Sequence, residues 1–121
     1  MGVQNTVDYI TIASTGNAQD FGDLTAAKTG VASCASPTRA LVGGGYTGSA
    51  EVNVIEYFTI ASTGNGTDFG DLRSAHSDNY AGSTHTRGLF QADAELNYVT
   101  FASLGNAADF GDVENGTKSA G

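Results

Sequence analysis

Tryptophan is absent from this 121-residue chain, proline and cysteine occur once each, and lysine and arginine together number five. Each scarcity excludes something. A lone Cys34 cannot form an intrachain disulfide, so the fold is held without a cross-link. Five basic residues against thirteen acidic ones leave a net charge of −8. That balance disfavours nucleic acid, whose phosphates need Lys and Arg to neutralise them, and it disfavours anionic membranes. No apolar run is long enough for a membrane helix, and no signal peptide is recognisable, so the expectation is no membrane insertion. The compartment expected is that of a particle assembled in the cytoplasm, or otherwise the cytoplasm itself or release as a soluble protein.

Glycine is abundant, with 17 residues, and apolar residues make up 40% of the chain. That is a folding composition rather than a disordered one. The length suits one modest domain.

A repeated phrase dominates what is present. Tyr9-Ile-Thr-Ile-Ala-Ser-Thr-Gly-Asn-Ala-Gln-Asp-Phe-Gly-Asp23 returns with few changes at Tyr57–Asp71 and again at Tyr98–Asp112. Repeats at this period signal stacked supersecondary units. The second interval is shorter than the first, and the whole shortfall lies where Gly43-Gly44-Gly45-Tyr46-Thr47-Gly48-Ser49 stands. Each full unit reads as four short strands. Val31–Ala35 is small and apolar. Arg39–Tyr46 follows a turn at Ser36-Pro37. Val54–Ala61 is β-branched and aromatic. Asp68–Leu72 follows the turn residues Thr63-Gly64-Asn65. No segment has a sustained helical period. The third strand is apolar on both faces, with Ile55 and Tyr57 on one and Phe58 and Ile60 on the other, as in a sheet covered on both sides.

Four-stranded units of this length, stacked face to face, describe the blades of a β-propeller. The pattern resembles kelch repeats, in which a double Gly ends the second strand, a Tyr lies in the third, and an aromatic with a following Leu lies in the fourth. Gly43-Gly44 (or Gly44-Gly45), Tyr57, and Phe69 with Leu72 fill those places. Phe replaces the usual Trp, and the last unit has Gln91-Ala92-Asp93 where the glycines belong. The wording TIASTGN followed by DFGDL is also similar to kelch-like repeats in structural proteins of marine bacteriophages. The likeness runs along nearly the whole chain. It implies an all-β fold of kelch-like blades and a virion or appendage component, without naming a ligand.

The expected layout is a half blade at 7–24, a blade at 31–72, a trimmed blade at 78–113, and a tail or new first strand at 114–121. That is about two and a half blades, whereas closed propellers take four or more. Such a set exposes blade faces and strand edges. Three explanations stay open: copies of the chain complete a ring, its sheets join other virion proteins, or it is a fragment of a longer protein.

Phe21, Phe69 and Phe110, with Tyr9, Tyr57 and Tyr98, are assigned to the spaces between blades. The recurring Asn-x-x-Asp-Phe-Gly-Asp (Asn17/Asp20/Asp23, Asn65/Asp68/Asp71, Asn106/Asp109/Asp112) admits two readings. One is a hard-cation site of clustered oxygens. The preferred one is structural, with Asn in a tight turn and Asp side chains bonded to amides at strand ends. Asp-Phe-Gly is not a kinase signature here, because it occurs three times and lacks the glycine-rich loop and partner lysine. Gly43-Gly44-Gly45 lacks the Lys-Ser/Thr of a phosphate loop and suits close backbone approach. His76 and His85 have no partner at a useful spacing, and Cys34 reads as an inert buried thiol. Asn65-Gly-Thr67 and Asn115-Gly-Thr117 match a glycosylation acceptor, which means little without a secretory signal.

The sequence therefore points to a non-enzymatic structural or adhesion component with no catalytic, metal or cofactor site. Its partners would be copies of itself or other virion proteins, or a host-surface glycan. The alternative is a small lectin-like ring binding glycans between blades, with Tyr46 and Tyr80 as stacking platforms.

Overall fold

A computed structural model of the chain describes residues 2–114. Within the described residues, ten strands form three antiparallel sheets. The first pairs β1 (Gln4–Tyr9) with β2 (Gln19–Lys28). The second runs in the order β3 (Ala32–Ala35), β4 (Arg39–Gly43), β5 (Val54–Thr59), β6 (Thr67–Asp71). The third repeats that order with β7 (Tyr80–Ser83), β8 (Arg87–Ala92), β9 (Glu95–Thr100), β10 (Ala108–Asp112). The described chain is thus all-β.

Neighbouring strands in each sheet follow one another in sequence, which confines every connection to a hairpin. Ser36 shapes the β3–β4 turn, its hydroxyl accepting from the amides of Thr38 (3.2 Å) and Arg39 (3.0 Å). Thr84 repeats this before β8, accepting from Thr86 (3.3 Å) and Arg87 (3.1 Å). Between β4 and β5, Gly44 and Gly45 adopt φ of 70° and 115°, and Gly45 donates to the His76 carbonyl at 2.8 Å. A side chain at Gly44 would run into Asn79, so both torsion and space demand glycine. The corresponding β8–β9 connection is a tight turn at Asp93-Ala94 with Asp93 at φ 58°. The shorter third unit therefore loses only this loop.

Several strand limits differ from the sequence expectation: the first unit begins at Gln4 rather than residue 7, the middle unit's first and third strands are Ala32–Ala35 and Val54–Thr59, and its fourth is Thr67–Asp71. The second strand of the middle unit stops at Gly43 rather than Tyr46, because the glycines turn away. The last strand of the first unit runs on to Lys28, beyond the expected residue 24, and Lys28 pairs with Gln4.

The outer hairpins share one register. Val7, Ile55 and Leu96 face Gly22, Gly70 and Gly111; Asp8, Glu56 and Asn97 face Asp20, Asp68 and Asp109. Phe21, Phe69 and Phe110 fall at the skipped position each time, a bulge that turns the aromatic out of the simple alternation. The core joins the second and third sheets: Ala32, Leu41, Ile55, Phe69 and Leu72 cluster with Phe90, Val99, Phe101 and Ala107. Strand alternation places Leu41 and Ile55, and the bulge places Phe69, on the side of the second sheet that meets the third. A side chain at Gly43 would enter the Phe90 ring, so the two sheets meet at that point without room for a methyl group.

Candidate functional site

The repeated phrase works between sheets. In the first junction, Gly64 donates to the Phe21 carbonyl (2.8 Å) and Gly66 to the Asp23 carbonyl (2.8 Å). The Asn65 side-chain oxygen accepts from the Asp23 amide at 3.0 Å. In the second junction, Gly105 donates to Phe69 (2.9 Å), Ala107 donates to Asp71 (2.8 Å), and the Asn106 oxygen accepts from the Asp71 amide (3.0 Å). The Gly-Asn-x of each outer hairpin loop thus docks on the Phe-Gly-Asp of the preceding sheet. A Cβ on Gly22 would collide with the Gly64 carbonyl, and one on Gly70 with that of Gly105. Here glycine is required by close approach.

The preferred structural reading of the acidic phrase needs one correction. Asn65 and Asp23 lie 42 residues apart, and Asn106 and Asp71 lie 35 apart. The contact is long-range, and it uses the Asp amide rather than the carboxylate. Among the described residues, no group of three or more His, Cys, Asp and Glu is placed to hold a metal ion. Asp109 instead meets the Arg73 guanidinium at 3.1 Å, and Glu95 meets it at 3.5 Å.

The aromatic residues take unequal places. Phe69 is 3% exposed and meets Tyr57 edge-on at 6.1 Å between ring centroids. Phe21 is half-buried, edge-on to both Tyr9 (5.8 Å) and Phe58 (5.9 Å), the latter across the first junction. Phe110 is 53% exposed, although it meets Tyr98 (6.1 Å) just as Phe69 meets Tyr57. Tyr57 and Tyr98 are half-buried beneath the Arg39 and Arg87 guanidinium groups, each 4.6 Å from the ring centre. Arg39 also donates to the Phe101 carbonyl across the second junction. Arg87 faces solvent.

One feature inside the first junction escaped the sequence. Lys28 and Glu56 form a buried ion pair at 3.2 Å, with side chains 1% and 0% exposed. The other Glu56 oxygen accepts from the Thr25 amide at 2.7 Å. The available clue was a charged residue in an otherwise apolar strand. The same strand position holds Asp8 in the first unit and Asn97 in the third. Asn97 is fully buried.

Tyr46 and Tyr80 are 39% and 43% exposed, and the Tyr46 hydroxyl donates to the Gly48 carbonyl at 3.2 Å. A cleft of about 650 Å³ between the second and third sheets is lined by Ser36, Pro37, Arg39, His85, Thr86 and Phe101, among others, and by neither tyrosine. His76 is half-buried, and His85 is exposed. Burial pushes the Cys34 thiol up to about 11, which suppresses the nucleophilic thiolate. Asn115-Gly-Thr117 and most of the 114–121 segment lie outside the described residues. No described helix is long and apolar enough to cross a membrane. No family model matches the chain, and no curated protein matches it in sequence.

Proposed function

We propose that this chain is a non-enzymatic structural or adhesion component that acts by joining its sheets, as kelch-like propeller blades, to those of other chains. The supporting observation is the contrast between Phe69, 3% exposed beneath the third sheet, and Phe110, 53% exposed at the same position of that sheet. A further sheet laid on the third would restore the missing contact. The setting proposed is a bacteriophage particle, and it rests on the resemblance of the TIASTGN and DFGDL wording. The partners are then copies of the chain or other virion proteins. Sedimentation velocity on the purified chain across the micromolar range tests the assembly. We expect mass to rise with concentration; a single monomeric species throughout would overturn it.

A second reading, glycan binding, is favoured by the exposure of Tyr46 and Tyr80. Binding to a glycan array, lost in Tyr46→Ala or Tyr80→Ala, would support it.

A further inference from the structure

We infer that the outer edge of the third sheet, which no described residue covers, receives the Thr11–Ala18 hairpin loop of a second copy of this chain. This rests on the assembly reading above and specifies its contact. Two junctions inside the molecule define what a Phe-Gly-Asp edge accepts, and each uses the same three hydrogen bonds. Among the described residues, two halves of that contact stay unmatched, one in the first sheet and one in the third. Gly16-Asn17-Ala18 has the sequence of the docked Gly105-Asn106-Ala107, and Phe110-Gly111-Asp112 has that of the occupied Phe69-Gly70-Asp71.

Both halves are already shaped for the contact. The donor loop carries the same local turn as its docked counterparts, with Ser14 donating to Thr11 (3.2 Å) as Ser62 does to Thr59 (3.3 Å) and Ser103 to Thr100 (3.1 Å). The acceptor hairpin has the register of β5–β6. No described residue lies within 4 Å of where a Cβ on Gly111 would stand, whereas the same position at Gly70 is blocked by the docked loop.

Burial along the two faces is complementary. Ile10 is 61% exposed, while its counterparts Phe58 and Val99 are 5% and 3% exposed. Leu89 and Leu96 are half-buried where Leu41 and Ile55 are fully buried. Docking would place Ile10 of the second copy on Phe110. Gly16 and Ala18 would donate to the Phe110 and Asp112 carbonyls, and Asn17 would accept from the Asp112 amide. Arg87 would reach the Ile12 carbonyl, as Arg39 reaches that of Phe101.

One contact changes sign. Where Arg73 meets Asp109 in the second junction, the new one would oppose Glu114 to Asp20 of the second copy. With a net charge of −8 on each chain, association should tighten as salt screens the repulsion.

The contact is heterologous, so two differently blocked chains must complement each other. Ile10→Asp, or Asn17→Ala, spoils the loop-bearing end. Gly111→Ala, or Phe110→Ser, spoils the accepting edge. Circular dichroism verifies that each variant folds, and the paired choices allow for one that does not. Sedimentation should show each single variant monomeric where the wild type associates. An equimolar mixture of one loop-blocked and one edge-blocked variant should form a one-to-one dimer that grows no further. Single variants that associate like the wild type would overturn this junction while leaving assembly by another surface intact. A mixture that stays monomeric would also overturn it. A wild type monomeric at every concentration would remove both the junction and the assembly reading.

Discussion

Replacing each of the three phenylalanines by alanine should give three different costs from one repeated sequence. Phe69 is 3% exposed and lies in the cluster that joins the second and third sheets. Emptying such a site removes the transfer energy of the ring and leaves a cavity, about 3–5 kcal/mol in total. Its edge-on contact with Tyr57 falls within that figure. Phe110 has about half its surface in water already, and its removal encloses no cavity. Half of the usual burial energy of a large side chain is about 1 kcal/mol. Phe21 is half-buried with rings on two sides and should fall between them. Urea titration followed by far-ultraviolet circular dichroism, on chains dilute enough to be monomeric, gives the three values. Equal costs for Phe69→Ala and Phe110→Ala would refute the claim that position within the stack, rather than the motif itself, decides burial.

Four further outcomes follow from other features of the structure. Lys28→Met should cost about 3–5 kcal/mol by leaving the Glu56 carboxylate buried without its cation, and Glu56→Leu added to it should recover part of that loss; a cost below about 1 kcal/mol would mean that water reaches the pair. Cys34 should alkylate slowly at pH 8, with roughly one thiol in a thousand ionised, and the rate should climb about tenfold per pH unit towards 11. Because burial raises this thiol from 9.0 to about 11, the native state should lose stability as pH rises through that window, and Cys34→Ala should lack that component of the loss. Melting curves in chelator and in millimolar Ca²⁺ should nearly coincide. A bound ion at a hundredfold excess over its Kd would add about 2.7 kcal/mol, and a shift of that size abolished by Asp68→Asn would make the phrase a metal motif.

The all-β class was legible because alternation, β-branched residues and turn glycines agree over short segments. The position of the seven-residue loop Gly43–Ser49 was legible because comparison of the units isolates it. What Asn65 and Asn106 do was not legible. Both halves of a docking contact are written into every unit, so a single phrase looks like one local site. Only the stacking shows that Asn65 serves Asp23, 42 residues away. Lys28 and Glu56 were missed for a related reason. Their attraction acts between two sheets, and neither residue lies near the other in sequence. The different fates of Phe69 and Phe110 also depend on what stands next in the stack, which strand patterning does not encode.

Amide hydrogen exchange, read residue by residue, tests most directly whether the repeated phrase joins one sheet to the next. In dilute solution the amides of Asp23 and Asp71, and of Gly64, Gly66, Gly105 and Ala107, should exchange slowly, since each donates across a junction. The amides of Asp112, Gly16 and Ala18 should exchange fast, and they should slow together as concentration rises and chains associate. Equal exchange at Asp71 and Asp112 in the dilute chain would contradict the account.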